Sequence, residues 1–382
     1  TGNLTGVKTS IFTQMAALAQ QEGAYNLSQG FPDFPADPAL IDRVSHYLRA
    51  DTNQYAPMAG IPSLRKAIIK FSEELYGSSY NPDTEITITA GATQAISTAI
   101  ATSIKEGDEV LLFSPAYDCY IPQIKLHGGT PITVKLTHPE YHVDWDQVKH
   151  LVNHRTKMII LNTPHNPSGS MWAEGDFQNL NEIVRNSNIL ILGDEVYEHL
   201  TYGSYPHLSL RNFPELRKRS FVVGSMGKSL RVTGWKIGYI LAPENLMREF
   251  QKVHQYQIFC VNKPIQLAIA DYLATLDFAE IGTIYGKKQK RFEELLSRTA
   301  FDPLPVQGGY FQLADYSKVS LERDGDFVNR LARDYKVAAI PLSPFYRHPT
   351  DERKVIRFCF AKNDETLEAA IAKLAEIPVL ED

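Results

Sequence analysis

Short apolar runs alternate with segments of helical spacing between about residues 84 and 275. Each run is five to eight residues long and leads into small or polar residues. Continuous apolar runs predict strands buried on both faces, and their alternation with helices predicts an α/β fold with a mostly parallel sheet covered on both sides. The runs are 85–89, 109–115, 157–164, 188–195, 220–225 and 237–243.

The two ends of the chain show a different pattern. Segment 285–298 is typical of a charged helix, and segments 308–316 and 355–362 are typical of strands. We therefore expect a second, smaller α+β unit, with the N-terminal arm packed against it. The predicted organisation is a large domain over residues 33–278 and a small domain formed by residues 1–32 and 279–382.

Composition and charge narrow the class of protein. The chain has 382 residues, 43% hydrophobic and 22% charged, as is typical of globular proteins. A net charge of -5 gives no reason to expect nucleic acid or an anionic membrane as a partner. The three cysteines are scattered, without disulfide or zinc spacing, and no apolar run reaches the roughly 18 residues that span a bilayer. The N-terminal residues TGNLTGVKTS lack the pattern of a secretory signal, so we expect a cytoplasmic protein.

Four of the predicted strands end in groups of different chemistry. They are the small residues Gly91, Ala92 and Thr93 at a helix start, then Asn166, Asp194 and Lys228. Ligands of open α/β sheets bind at the carboxyl ends of the strands, and a helix N-terminus lined by small residues favours an anion. These strand ends therefore predict an anion site, a neutral donor, a carboxylate and an amine around one ligand.

Each of these groups also has an ordinary structural interpretation. The small residues could serve packing alone, Asn166 an Asx turn, Asp194 a helix cap or an ion pair, and Lys228 a surface turn. Pyridoxal phosphate, however, requires all four, because it carries a phosphate, a phenolic oxygen, a ring nitrogen and an aldehyde that bonds to lysine. Ser225 and Lys236 could add to the phosphate site. Tyr117 could stack on the ring or be only a core or rim aromatic.

Several motifs resemble the class I pyridoxal-phosphate aminotransferases. They are NTPHNPSG, GDEVYE, SMGKSLRVTGWKIGY and IRFCFAK, and the likeness runs from NLSQGFPDF to the last of them. FSPAYDCY, NTPHNPSG and KVHQYQIFCVN are most similar to the kynurenine/glutamine transaminase branch, above all to bacterial methionine aminotransferases. The resemblance implies fold type I, which is aspartate aminotransferase-like, and a homodimer with shared active sites.

The same resemblance implies roles at the cofactor. Lys228 would bind the aldehyde and transfer the substrate proton, Asp194 would face the ring nitrogen, and Asn166 and Tyr197 would contact the phenolic oxygen. Tyr117 would stack on the ring. The implied phosphate contacts are Gly91, Ala92, Thr93, Ser225 and Lys236, with Tyr55 reaching in from the neighbouring subunit. Many relatives have arginine where this chain has Lys236, and lysine is typical of the kynurenine/glutamine branch.

The substrate site is predicted from one arginine and several aromatic residues. Arg357 lies among apolar residues of a predicted strand, so it needs an anion, either the substrate carboxylate or an internal salt bridge. The resemblance places Gly30 and Asn166 near that carboxylate. No second arginine is evident for a dicarboxylate, although Arg231, Arg347 or a partner subunit could supply one, so methionine, glutamine, aromatic or related amino acids are the expected donors. The resemblance also implies a side-chain pocket formed by Phe12, Tyr310 and Phe345.

The predicted activity is transfer of an amino group to a 2-oxo acid by a ping-pong mechanism. One alternative is a cysteine-conjugate β-lyase that uses the same cofactor. A second is a cofactor-binding regulator without catalysis. A metal enzyme is less consistent with the sequence, because His138 and His142 flank a proline in a polar, loop-like segment.

Overall fold

The computed structural model describes residues 4, 7, 9–203, 206–347 and 354–381. The strands are β1 Tyr25–Asn26, β2 Ile86–Thr89, β3 Glu109–Ser114, β4 Thr130–Lys135, β5 Thr156–Asn162, β6 Leu190–Asp194, β7 Ser220–Ser225, β8 Gly238–Leu241, β9 Asp302–Pro303, β10 Phe311–Asp315, β11 Val337–Ala338, β12 Ile340–Pro341 and β13 Val355–Cys359. The helices are α1 Ile11–Glu22, α2 Pro38–Arg49, α3 Pro62–Tyr76, α4 Ala92–Ser103, α5 Tyr120–Leu126, α6 Trp145–Leu151, α7 Glu174–Val184, α8 Pro214–Arg217, α9 Met226–Ser229, α10 Glu244–Gln257, α11 Lys263–Leu273, α12 Phe278–Leu296, α13 Asp324–Asp334 and α14 Asp364–Leu374. Short 3₁₀ turns cover Leu210–Asn212, Thr233–Trp235 and Ser343–Phe345.

A seven-stranded sheet with the order β2-β8-β7-β6-β5-β3-β4 forms the centre of the molecule. The six predicted strands are all present, which confirms the α/β class with a mostly parallel sheet. The strand β8 runs antiparallel to both of its neighbours, whereas the other neighbouring pairs are parallel. An apolar run buried on both faces has the same composition in either direction, so the sequence did not indicate this reversal.

The edge strand β4 was not predicted. Its residues alternate between exposed, buried and partly buried positions, and Pro131 lies within it. Proline is tolerated at a sheet edge because an edge strand needs fewer backbone donors. The segment therefore lacks the continuous apolar pattern by which the central strands were found.

A second, antiparallel sheet with the order β12-β13-β10-β9 lies towards the C-terminus. The N-terminal segment joins this part of the chain, because β1 pairs in parallel with β11 and α1 packs against α13. Helix α1 begins after Ser10, whose hydroxyl accepts a hydrogen bond from the Phe12 backbone N–H at 3.4 Å. It ends at Gly23, which has the left-handed conformation that suits glycine (φ 60°). This arrangement brings Phe12 and Gly30 towards the ends of the central strands.

Candidate active site

A cleft of about 880 Å³, open to solvent, lies at the carboxyl ends of β5, β6 and β7. Most of the predicted site residues line it, although they come from widely separated parts of the chain. The predicted residues in its wall are Phe12, Gly30, Gly91, Ala92, Thr93, Tyr117, Asn166, Asp194, Tyr197, Ser225, Lys228, Lys236 and Arg357.

Lys228 enters the cleft from the short helix α9, directly after β7. Its Nζ lies 2.8 Å from the Tyr310 hydroxyl and 3.3 Å from the Gly30 carbonyl oxygen. Burial lowers the pKa of Lys228 to about 8, since the charged form loses hydration. A substantial fraction of this amine is therefore neutral near physiological pH, as a nucleophile or base requires.

Asp194 is the last residue of β6 and is almost completely buried. One carboxylate oxygen accepts a hydrogen bond from the Tyr120 hydroxyl at 2.5 Å, and the other accepts from the Val196 backbone N–H at 3.4 Å. Burial raises the pKa of Asp194 to about 6, whereas the Tyr120 hydrogen bond and the charge of Lys228 act in the opposite direction. The structure thus provides a buried acid that is largely ionised at neutral pH.

Sequence reasoning missed Tyr120, although a signal was present. Tyr117 and Tyr120 stand three residues apart in FSPAYDCY, in the turn that leads into α5, and the Tyr120 backbone N–H donates to the Tyr117 carbonyl at 3.2 Å. Their rings lie edge to face with centroids 5.7 Å apart. Tyr117 borders the cleft while Tyr120 lies behind it against Asp194.

A buried ionic cluster anchors the loop that follows Asp194. Arg211 is fully buried and pairs with Glu195 at 3.0 Å and with Glu198 at shorter range. Glu198 also accepts hydrogen bonds from the hydroxyls of Tyr76 and Tyr239. Because unpaired buried charges are costly, this cluster holds the segment that carries Tyr197 in place. The motif GDEVYE contained these glutamates, but only the tertiary contacts give them partners.

The start of α4 forms a cradle that suits an anion. Gly91 has a left-handed backbone (φ 77°), and a β-carbon there would lie 3.1 Å from the Lys236 amine. A β-carbon on Gly238 would lie 2.8 Å from the Ala92 nitrogen, so both glycines keep the approach to the first helical turn open. Backbone N–H groups at a helix N-terminus, together with a lysine amine, fit a phosphate. The cleft therefore offers N–H groups and a lysine amine for the phosphate of pyridoxal phosphate and a carboxylate, Asp194, for its ring nitrogen.

Arg357 is fully buried in β13. Its two terminal nitrogens donate to the Asn166 side-chain oxygen at 2.7 Å and to the Ser28 carbonyl at 3.0 Å, and its Nε has no hydrogen-bond partner among the described residues. Within the described ranges no carboxylate lies within 4.0 Å of this guanidinium, so the alternative of an internal salt bridge is not seen there. Burial lowers the pKa of Arg357 to about 10. A buried arginine beside a cleft, short of an anion, is suited to bind a carboxylate.

The predicted aromatic residues occupy different positions. Phe12 lines the cleft, with its ring 6.2 Å from Tyr117 and 5.9 Å from Phe345, which is buried behind it. Tyr310 is also fully buried and contacts Lys228 rather than forming the cleft wall. Tyr55 lies outside the cleft of its own chain, with 78% of its surface exposed.

The structure also bears on two other classes of function, metal enzymes and membrane proteins. In the part of the chain that the structure describes, no three His, Cys, Asp or Glu side chains are grouped as metal ligands would be. The segment with His138 and His142 is a turn closed by the bridge between Thr137 and His142. None of the helices within the described ranges is both long and apolar enough to cross a membrane.

Comparison with known proteins agrees with this geometry. The sequence model of the family described as "Aminotransferase class I and II" matches residues 22–374. Methionine aminotransferase of Escherichia coli is 45% identical over 377 residues, which cover 97% of this chain and 96% of that protein. Human kynurenine–oxoglutarate transaminase 3 is 33% identical over 398 residues, which cover 96% of this chain and 88% of that protein.

Solved structures extend the likeness to three dimensions. The crystal structure of the E. coli protein identified as a methionine aminotransferase superposes with a TM-score of 0.96 at 44% identity, over 99% of both chains. A variant of Thermus thermophilus aspartate aminotransferase shares the fold with a TM-score of 0.90 at 23% identity, over 99% of both chains. This chain therefore belongs to the class I and II aminotransferases and has the aspartate aminotransferase-like fold of that family.

Proposed function

We propose that this aminotransferase uses pyridoxal phosphate to move an amino group from methionine, glutamine, aromatic or related amino acids to a 2-oxo acid. One observation carries the proposal: the Lys228 amine, the Asp194 carboxylate and the Arg357 guanidinium line the same cleft. An acid, an amine of lowered pKa and a carboxylate clamp are the groups that this reaction needs.

The proposed roles follow from position and charge. Lys228 would hold the cofactor, Asp194 would face its ring nitrogen, Asn166 and Tyr197 would contact its phenolic oxygen, and Tyr117 would lie against its ring. The cradle of Gly91, Ala92 and Thr93, with Ser225 and Lys236, would bind the phosphate. When bound, pyridoxal phosphate supplies a carbon that bonds to amines and a ring that accepts electrons.

The protein's own groups then perform binding and proton transfer. Arg357 lines the cleft and would bind the substrate α-carboxylate, with Asn166 held beside it by their hydrogen bond. Lys228, neutral in part because burial lowers its pKa, would take the α-proton and return it in the next step. The Gly30 carbonyl oxygen lies 3.3 Å from the Lys228 amine.

The cleft favours a donor with an uncharged side chain. Phe12 and Phe311 flank Arg357, with their ring centroids 5.0 and 3.8 Å from the guanidinium carbon. Arg231 lies over the ring of Phe34, and Arg347 donates to a backbone carbonyl of β4, so neither lines the cleft within the described residues. The similarity to the E. coli methionine aminotransferase supports the same class of donors.

A homodimer with shared sites is part of the proposal. Tyr55 and Phe259 are exposed and lie edge to face at 5.3 Å, next to the highly exposed Tyr256 in sequence. Exposed aromatic clusters of this kind mark association surfaces. We expect a dimer in sedimentation equilibrium. Mixed dimers of Lys228→Ala and Tyr55→Ala chains should regain activity if Tyr55 serves the neighbouring site.

The division into a large domain, 33–278, and a small domain, 1–32 with 279–382, also stays a proposal, as does a cytoplasmic location. Pairing of β1 with β11 supports joining the N-terminal arm to the small domain. Limited proteolysis of the purified protein should cut near residues 32 or 278 if these are the boundaries.

The deciding experiment addresses the lysine. Borohydride treatment of the purified protein with pyridoxal phosphate, followed by peptide mass mapping, should label Lys228, and the Lys228→Ala protein should lose that label. Absence of the label on Lys228 in the unaltered protein would refute the proposal. Mixing with single amino acids and following the visible spectrum then ranks donors. Pyruvate release from a cysteine conjugate, without transfer to an added oxo acid, would indicate the β-lyase instead.

A further inference from the structure

Three polar atoms meet at the wall of the cleft. The Tyr310 hydroxyl lies 2.5 Å from the Gly30 carbonyl oxygen and 2.8 Å from the Lys228 Nζ, which itself lies 3.3 Å from the same carbonyl. Tyr310 is fully buried, so its hydroxyl has no access to bulk water as an alternative partner. The tyrosine has one O–H proton, and Gly30 offers only an acceptor, so Tyr310 donates to Gly30 and accepts from Lys228.

These atoms come from three distant parts of the chain. Lys228 follows β7 of the central sheet, Tyr310 directly precedes β10 of the antiparallel sheet, and Gly30 lies in the N-terminal segment. A β-carbon on Gly30 would lie 2.7 Å from the ring of Phe311, so only glycine permits this close approach. The packing thus brings two acceptors from outside the central sheet to one lysine amine.

The number of acceptors matches one protonation state of that amine. A neutral amine has two N–H groups and one lone pair, whereas an ammonium group has three N–H groups. With both N–H groups given to Tyr310 and Gly30, the lone pair of a neutral Lys228 remains available to the cleft. A proton taken from a substrate carbon becomes the third N–H of Lys228 and leaves from the same position.

We propose that Tyr310 is a positioning residue that holds the Lys228 amine, with the Gly30 carbonyl, whenever that amine is not bonded to the cofactor. The inference rests on the proposed function and extends it to a residue expected in the substrate side-chain pocket. Without this contact the amine sits on a flexible four-carbon chain and samples several rotamers. Misplacement of a catalytic group by about 1 Å costs on the order of 100-fold in rate.

The ring of Tyr310 also packs against Tyr197, Tyr285 and Phe311, with centroids 5.2, 5.9 and 4.8 Å away. Phenylalanine preserves this packing and removes only the hydroxyl, so Tyr310→Phe tests the hydrogen bonds of that hydroxyl with Lys228, Gly30 and the Tyr197 side chain together. Tyr285→Phe is the matched control, because Tyr285 is an adjacent buried tyrosine whose hydroxyl has no hydrogen-bond partner in the part of the chain that the structure describes.

Two measurements test the inference. The first is the single-turnover rate of the holoenzyme with an amino acid, which should fall about 10- to 100-fold in Tyr310→Phe and stay within about twofold in Tyr285→Phe. The second uses cofactor-free protein: cyanate modification of Lys228, followed by peptide mass mapping across pH 6–10. Loss of an acceptor destabilises the ammonium form, so the midpoint pH for Lys228 should fall in Tyr310→Phe and not in the control.

The outcomes separate this inference from the proposed function. If Lys228 of the unaltered protein takes the borohydride label but both measurements agree between Tyr310→Phe and Tyr285→Phe, the positioning role is refuted. If circular dichroism shows that Tyr310→Phe does not fold, Gly30→Ala serves in its place, because it displaces the second acceptor. It should likewise lower the single-turnover rate and the midpoint pH of Lys228 modification. Unchanged values in a folded Gly30→Ala protein would equally overturn the proposal.

Discussion

Replacement of Tyr120 by phenylalanine isolates the hydrogen bond that keeps Asp194 ionised. The ring remains buried against Tyr117, and only the hydroxyl that donates to the Asp194 carboxylate at 2.5 Å is lost. That carboxyl already has a pKa of about 6 because burial disfavours its charge. Since the Tyr120 hydrogen bond stabilises the ionised form, its removal must raise the pKa further.

The magnitude follows from the strength of a hydrogen bond to a charged group. Such a bond contributes about 1.5–3 kcal/mol, and 1.36 kcal/mol corresponds to one pH unit, so the pKa of Asp194 should rise by about one to two pH units. If only the ionised form binds the cofactor well, affinity at pH 6.5 falls about 3- to 25-fold. Above about pH 9 both proteins are ionised at this position, and the affinities should converge.

The assay is a titration of cofactor-free protein with pyridoxal phosphate at several pH values, followed by absorbance. Tyr316→Phe is the control, because its buried ring likewise carries a hydroxyl that donates a hydrogen bond, to the Glu322 carbonyl at 2.9 Å, in a part of the chain away from Asp194. If the affinity for pyridoxal phosphate varied with pH in the same way in Tyr120→Phe and in the unaltered protein, this hydrogen bond would not govern the ionisation of Asp194.

Further substitutions test the other buried charges. Arg357→Lys loses the planar fork, so KM for amino acid and oxo acid should rise about 10- to 100-fold in steady-state assays; an unchanged KM would exclude the clamp. Asp194 has a folded-state pKa raised from 3.8 to about 6, so the cofactor-free protein loses stability as pH rises through this window. Asp194→Asn should therefore raise the free energy of unfolding by about 3 kcal/mol at pH 7.5 and change it little near pH 4, by calorimetry; equal gains at both pH values would contradict this. Arg211→Met leaves two buried glutamates unpaired and should cost about 3–5 kcal/mol in urea unfolding, whereas Lys218→Ala, at an exposed ion pair, should have little effect. If Arg211→Met lowered the free energy of unfolding only slightly, the cluster would not be needed to hold the loop after β6.

The sequence alone determined the central strands and the groups at their ends. Continuous apolar runs must be buried, and parallel strands bring their carboxyl ends to one edge of the sheet. This is why Asn166, Asp194 and Lys228 could be expected at one cleft before any contact was known. The apolar surroundings of Arg357 predicted an anion beside it, and the family motifs added the residues of the N-terminal segment.

Only the tertiary structure decided the direction of β8, the partners of Arg357, and the positions of Tyr120 and Tyr310. Arg357 reaches an asparagine 191 residues away, and Tyr310 reaches a carbonyl 280 residues away. Local patterns specify which side chains must be buried, because burial follows from hydrophobicity and spacing. They do not specify which buried polar groups meet, because that depends on how separately formed sheets and segments pack against each other.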